Sequence, residues 1–318
     1  EIGNNHNGSY ERAVEMIDSA IEAGADCVKF QMRNMKEVYR KRSLEKQGDD
    51  LGTEYVLDLL ERFELSIDEQ RKLANYADSK GVLYMCTPWD ASSVAVLEDF
   101  GVEAYKVASA DLTNIPLINR LAMTKKPLIL STGMSSVDEI EFTAKFLIEK
   151  SSDFALLHCN STYPAPLHDI NLRWIEKLKE IHSLIGYSGH ERGTSVTLGA
   201  VSLGAAVVER HFTLDRNLPG PDHRFALIPS ELKLMIKSIR LADVAKGNSK
   251  KTILDEEQDL RQFATRSIQA IKDISKDEVL QEGINFDVLR PGNKSRGVEA
   301  RFLKEINGKK SGTDVKIG

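Results

Sequence analysis

Seven short apolar runs alternate with amphipathic stretches through the first 245 residues, and this alternation constrains the fold more than any other feature. The runs are Asp26–Gln31, Val82–Thr87, Ala104–Ser109, Pro127–Ser131, Phe154–Cys159, Leu184–Ser188 and Val207–His211. They are nearly continuously apolar, as strands covered on both faces should be. Between them Tyr10–Ala23 carries apolar residues at helical spacing. Ser66-Ile-Asp-Glu69 and Ser136-Val-Asp-Glu139 are capping boxes that predict helices running to about Lys80 and Lys150. Thr194–Leu203 and Pro229–Ala245 supply later helices, and Gly24, Gly81 and Gly101 fall where left-handed caps favour glycine. Taking Glu1-Ile-Gly3 as the end of a further strand makes eight. Eight parallel strands with interleaved helices predict an α/β fold, a TIM (β/α)8 barrel over residues 1–245. A doubly wound sheet would be expected to carry a Gly-rich phosphate loop after its first strand, and none is present.

The pattern changes at Lys246-Gly-Asn-Ser-Lys-Lys251. Residues 246–260 read as a linker, and 261–318, rich in Lys, Asp and Gly, as a small β-rich domain. The formal net charge of -5 gives no reason to expect nucleic acid or an anionic membrane as partner. Three cysteines cannot all pair, and Cys27, Cys86 and Cys159 each lie in an apolar run. Buried free thiols and a reducing, cytoplasmic setting are expected. No run of about 18 apolar residues predicts a membrane span, and no secretory leader is expected. The abrupt opening at Glu1 leads to the expectation that other residues precede it.

Barrel chemistry sits at the carboxyl ends of the strands. The polar groups there are Glu1, Asn5-His6, Lys29, Gln31, Thr87, Lys106, Ser109, Asp111, Ser131, Ser161, Tyr163, Ser188, His190, Glu209 and His211. Lysines beside hydroxyls suit a small phosphorylated anion, because each charge-assisted hydrogen bond contributes about 1.5–3 kcal/mol. His190 and His211 end neighbouring runs, and two neutral imidazoles there suit a divalent cation with open positions. Glu209 shares a strand face with His211. Asp222 lies in a Pro-Gly-Pro turn stiff enough to hold a carboxylate in place. His158 reads as a core residue, and His168 and His182 as surface residues. His6 and His223 are open between structural and substrate-facing roles.

A series of strings runs in order through this region: Glu1-Ile-Gly-Asn-Asn-His-Asn-Gly-Ser9, Gly24-Ala-Asp-Cys-Val-Lys-Phe-Gln31, Tyr105-Lys-Val-Ala-Ser109, Leu130-Ser-Thr-Gly-Met134, Tyr163-Pro-Ala-Pro166, Gly186-Tyr-Ser188 and Glu209-Arg-His-Phe-Thr213. With them the chain resembles the sialic acid synthases, which make nine-carbon 2-keto sugar acids from phosphoenolpyruvate. Lys272-Asp-Ile-Ser-Lys-Asp277 and Leu289-Arg-Pro-Gly292 resemble that family's antifreeze-like (SAF) domain. The resemblance implies condensation of phosphoenolpyruvate with an open-chain N-acylated hexosamine, with manganese as the metal and magnesium or cobalt as alternatives. It places the metal on His190 and His211. It places phosphoenolpyruvate on Lys29, Thr87, Lys106, Ser109, Ser131, Ser161 and Ser188, and the sugar on Gln31, Tyr163, Glu209 and Asp222. Glu1 and Asp111 become carboxylates near the reacting atoms, either as electrostatic stabilisers or as the base. It also implies a domain-swapped homodimer in which Arg290 contacts the sugar held by the partner chain.

Three departures from the family pattern stand out. Gly189 replaces a common Asp between the serine and the metal histidine, Asp111 a common Glu, and Asn160 a common Thr. The first leads to the expectation of a weaker metal site. Together they hint at an acceptor other than N-acetylmannosamine, such as the diamino sugars of legionaminic or pseudaminic acid. Two further readings compete: a metal-dependent aldolase or another phosphoenolpyruvate condensation on the same barrel, and a non-catalytic carbohydrate-binding protein.

Overall fold

The computed structural model describes residues 1–39 and 57–317, and it divides into two compact units, Glu1–Gly247 and Asn248–Gly318. The first unit is built on one parallel sheet of seven strands in sequential order: β1 (Cys27–Met32), β2 (Leu83–Pro88), β3 (Tyr105–Val107), β4 (Leu128–Ser131), β5 (Phe154–Cys159), β6 (Ile185–Gly189) and β7 (Val207–Arg210). Helices connect them: α1 (Tyr10–Ala23), α2 (Ile67–Ser79), α3 (Ala91–Phe100), α4 (Ile115–Met123), α5 (Val137–Glu149), α6 (Trp174–Ile181), α7 (Ser195–Ser202) and α8 (Pro229–Lys246). Sequential parallel order with intervening helices is the TIM-barrel arrangement. Both expected capping boxes form, Ser66 with Glu69 and Ser136 with Glu139. Gly24 closes α1 at φ 90°, a conformation that costs a side-chain-bearing residue but not glycine.

The expected eighth strand is absent among the described residues. Glu1-Ile-Gly3 instead spans the gap between β7 and β1. The Ile2 and Gly3 amides donate to the Lys29 carbonyl at 2.9 and 3.2 Å, and the Phe212 amide donates to the Glu1 carbonyl at 2.8 Å. Three residues satisfy both edges but are too few to form a ladder. Apolar strand residues and the inward helix faces make one continuous core, with Met16, Ile17, Phe30, Leu73, Leu97, Tyr105 and Ile118 fully enclosed. Burial of each such side chain contributes about 1.5–3 kcal/mol, which fixes the strands whose polar ends form the site.

The second unit pairs β8 (Ser267–Ala270) antiparallel with β9 (Phe286–Leu289), adds isolated bridges Ile274–Val315 and Val279–Lys310, and buries Ile274 and Phe286. Part of the stretch expected as linker is ordered, with a 3-10 turn at Asp255–Glu257 leading into α9 (Gln258–Ala264).

Candidate active site

The strand ends meet in a pocket of about 40 Å³ lined by Glu1, Lys29, Gln31, Thr87, Lys106, Ser109, Ser131, Tyr163, Ser188, His190, Glu209 and His211. All twelve were expected at the rim. Sheet register explains their convergence. Gln31 pairs with Thr87, and Cys159, Ser188 and Glu209 form one row across β5, β6 and β7. The space is far below the roughly 300–1,000 Å³ of a ready-made ligand cleft.

On one side, Lys29 forms an ion pair with Glu1, lies 3.8 Å from Glu209 and donates to Thr87 Oγ1 at 3.2 Å. Gln31 Nε2 donates to Glu1 Oε1 at 2.9 Å. Burial is the strongest single influence and works to raise the Glu1 carboxyl, but the Lys29 ammonium and the other positive groups around it, His211 among them, together outweigh burial and hold Glu1 below the usual range. Burial works to lower Lys29, and the Glu1 and Glu209 carboxylates reverse that. Across the pocket, Lys106 donates to Ser131 Oγ at 2.7 Å and to the Val107 carbonyl at 2.8 Å, with Glu209 at 4.0 Å. Here burial prevails, aided by the nearby Lys29 charge, and Lys106 is held below the ordinary lysine value despite Glu209. The Gly133 amide donates to Ser109 Oγ at 3.1 Å. A Cβ at Gly133 would run into the Ser161 and Ser109 hydroxyls, so glycine keeps this hydroxyl-lined corner open.

His190 and His211 come together with ring centroids 5.3 Å apart. His190 Nδ1 donates to the Asn160 carbonyl at 2.7 Å, the kind of contact that would orient Nε2 toward a bound cation. His211 Nδ1 lies 3.4 Å from the fully buried Asp222 carboxylate. That is the imidazole–carboxylate contact by which metal-bound histidines are oriented. The donor set therefore fits a divalent cation. Among the described residues, no group of three or more His, Cys, Asp or Glu side chains could hold an ion. Two imidazoles would leave its remaining positions to substrate and water.

Some expectations need correcting. Asp111 does not line the pocket. β3 is only three residues long, and the chain then curls into a 3-10 turn over Ser109–Asp111. The Asp111 carboxylate accepts from Asn114 Nδ2 at 2.9 Å instead, and burial holds it above its usual range. Ser161 lies behind the lining, next to Gly133, and Asp222 acts on His211 rather than facing the pocket. Arg290 is exposed in the second unit, just after β9. His6 and His223 are structural. His6 Nδ1 accepts from the Gly8 amide, and His223 bonds Thr213 and Asn7. Burial holds both at about 4.

Sequence reasoning missed Trp89, Met134 and Cys159, which also line the pocket, and Phe225, which packs 5.1 Å from His211. Cys159 was read as a buried free thiol in an apolar run, yet its Sγ receives the Ser109 hydroxyl at 3.6 Å and lies 3.9 Å from His190 Nδ1. Its position at the end of β5 was the available signal.

A family model described as the NeuB family matches residues 16–251. An N,N'-diacetyllegionaminic acid synthase of Campylobacter jejuni is 37% identical over 316 residues, covering 97% of this chain and 93% of its own. The human N-acetylneuraminate-9-phosphate synthase is 34% identical over 285 residues, covering 88% and 79%. The crystal structure of a sialic acid synthetase from Leptospira borgpetersenii superposes with a TM-score of 0.73 at 34% identity, covering 81% of this chain and 87% of that one.

Proposed function

The chain belongs to the NeuB family, and from that premise we propose that it condenses phosphoenolpyruvate with the open-chain aldehyde of an N-acylated hexosamine. The product is a nine-carbon 2-keto sugar acid. The enzyme is a C–C bond-forming transferase, and a diacetamido-hexose is the favoured acceptor, in keeping with the legionaminic acid relative. The observation that carries the reading is the hydroxyl-lined Lys106 corner facing the His190–His211 pair across one pocket.

In this reading the phosphate lies against Lys106, Ser131 and Ser109, where a buried cation gains most from an anion. Lys29 and Thr87 take the carboxylate end. The enol methylene carbon attacks the aldehyde carbon, so one C–C bond forms and positive charge develops at the enol-ether carbon. Water adds there, and phosphate leaves by C–O cleavage. Glu1 and Glu209 stand against the two lysines, 2.9 Å from Gln31 in the first case and within 4.0 Å of both lysines in the second, where they can stabilise that charge. A divalent cation on His190 and His211, manganese above all, would act as Lewis acid on the acceptor's aldehyde oxygen. Tyr163, whose ring lies 4.3 Å from that of His190, and Gln31 would orient the sugar. We assign the second unit to the antifreeze-like domain, with Arg290 directed at the acyl-amino group of a sugar held by a partner chain.

The test is phosphate release from phosphoenolpyruvate with Mn2+, against N-acetylmannosamine and two diacetamido-hexoses. Release with one acceptor, abolished by a chelator, is expected. Sugar-acid formation from pyruvate in place of phosphoenolpyruvate, with no phosphate released, or no release with any acceptor, would overturn it.

A further inference from the structure

Glu191 directly follows His190, and Arg210 directly precedes His211, so the two are chain neighbours of the imidazoles. Strand alternation turns Arg210 away from the pocket toward α7. There it forms an ion pair with Glu191 at 2.7 Å, with side chains 2% and 0% exposed. Arg210 also donates to the Glu191 carbonyl at 2.5 Å, to the Gly193 carbonyl at 2.9 Å and to Thr197 Oγ1 at 2.7 Å. The Tyr187 hydroxyl, on β6, donates to the other Glu191 oxygen at 2.7 Å. A residue of β7 is thereby bolted to the end of β6, to the loop after it and to α7.

Gly189 sits inside this network. A Cβ there would lie 2.6 Å from Glu191 Oε2, 2.6 Å from Tyr187 Cε1 and 3.1 Å from Arg210 Cδ. The ion pair has taken the volume that any side chain at 189 would need. A buried ion pair gains little over a well-packed apolar pair of the same size, so its contribution here is geometric. We propose that Glu191, Arg210 and Tyr187 form a positioning brace that holds His190 and His211 at the separation a divalent cation requires. This rests on the reading of the two histidines as metal ligands.

The experiment is Mn2+ titration of the full chain, with free Mn2+ followed by electron paramagnetic resonance and folding by thermal melting. Removing both charges in Glu191→Gln/Arg210→Met leaves no lone buried charge. The expected result is a folded protein that binds Mn2+ about 10–100-fold more weakly, with turnover recovering as Mn2+ is raised to saturation. A purely structural role would lower stability without that recovery. Should the double variant fail to melt cooperatively, Tyr187→Phe carries the test. Losing one hydrogen bond is expected to weaken Mn2+ about fivefold. Native Mn2+ affinity in a folded double variant, or in Tyr187→Phe, would overturn the brace. His211→Ala separates the two claims. Native Mn2+ binding in that variant would overturn the ligand assignment and the brace together. Loss in His211→Ala alongside native binding in the brace variants would overturn the brace alone.

Discussion

Lys29 and Lys106 stand two strands apart on the floor of one pocket, equally buried, yet only one has its charge answered by the protein. Lys29 lies against the Glu1 carboxylate with Glu209 3.8 Å away. Lys106 reaches a hydroxyl and a carbonyl, and its nearest carboxylate oxygen is at 4.0 Å. Burial disfavours both ammonium groups, and only at Lys29 do the carboxylates reverse the effect. An answered cation belongs to the framework, and here it ties the first residues of the chain to β1. A poorly answered one gains from an incoming anion. The two corners thus differ in how much of the cation the fold itself uses, although each reads in the sequence as a lysine near a strand end.

Substitution should separate them. Lys29→Met strands the buried Glu1 carboxylate and should lower stability by about 3–5 kcal/mol, measured by urea denaturation. Lys106→Met removes a charge the fold does not answer. It should leave stability near that of the parent while lowering kcat/KM for phosphoenolpyruvate on the order of 100–1,000-fold. Equal destabilisation by the two changes would erase the distinction.

How far the sequence could reach follows from the same corners. Apolar runs and capping boxes announced every strand of the ring, and strand ends announced the lining. Pairings across the ring were not legible, because Glu1 meets Lys29 only after the stub bridges β7 and β1. Asp111 was misplaced because nothing in Ala104–Ser109 signals that β3 stops at Val107 and curls. Trp89 and Cys159 were passed over because apolar residues at strand ends look like core.

Gly189 is the sharpest case. From sequence it looked like a lost metal-orienting aspartate, whereas the structure shows its side-chain space already filled by Glu191, Tyr187 and Arg210. Gly189→Ala should therefore cost about 1–3 kcal/mol of stability through overpacking, and it should do so without touching either lysine corner. A melting temperature equal to the parent's would show that the network yields easily.

The smallest effect is also the most direct comparison of the lysines, since their pH signatures have opposite sign. Lys29 has a folded pKa above its unfolded value, about 10.4. Its stabilising contribution is fully present below that value and is lost only as pH rises through the higher folded pKa. Lys106 has a folded pKa below its unfolded value. Between the two, the unfolded chain holds more protons than the folded one, so stability rises with pH in that window. The urea midpoint of the parent minus that of Lys106→Met should climb as pH approaches 10.4, while the parent minus Lys29→Met stays level. Bound phosphoenolpyruvate should flatten the climb, because its phosphate then answers Lys106 as Glu1 answers Lys29. A climb that persists unchanged at saturating phosphoenolpyruvate would put the phosphate in some other corner of the pocket.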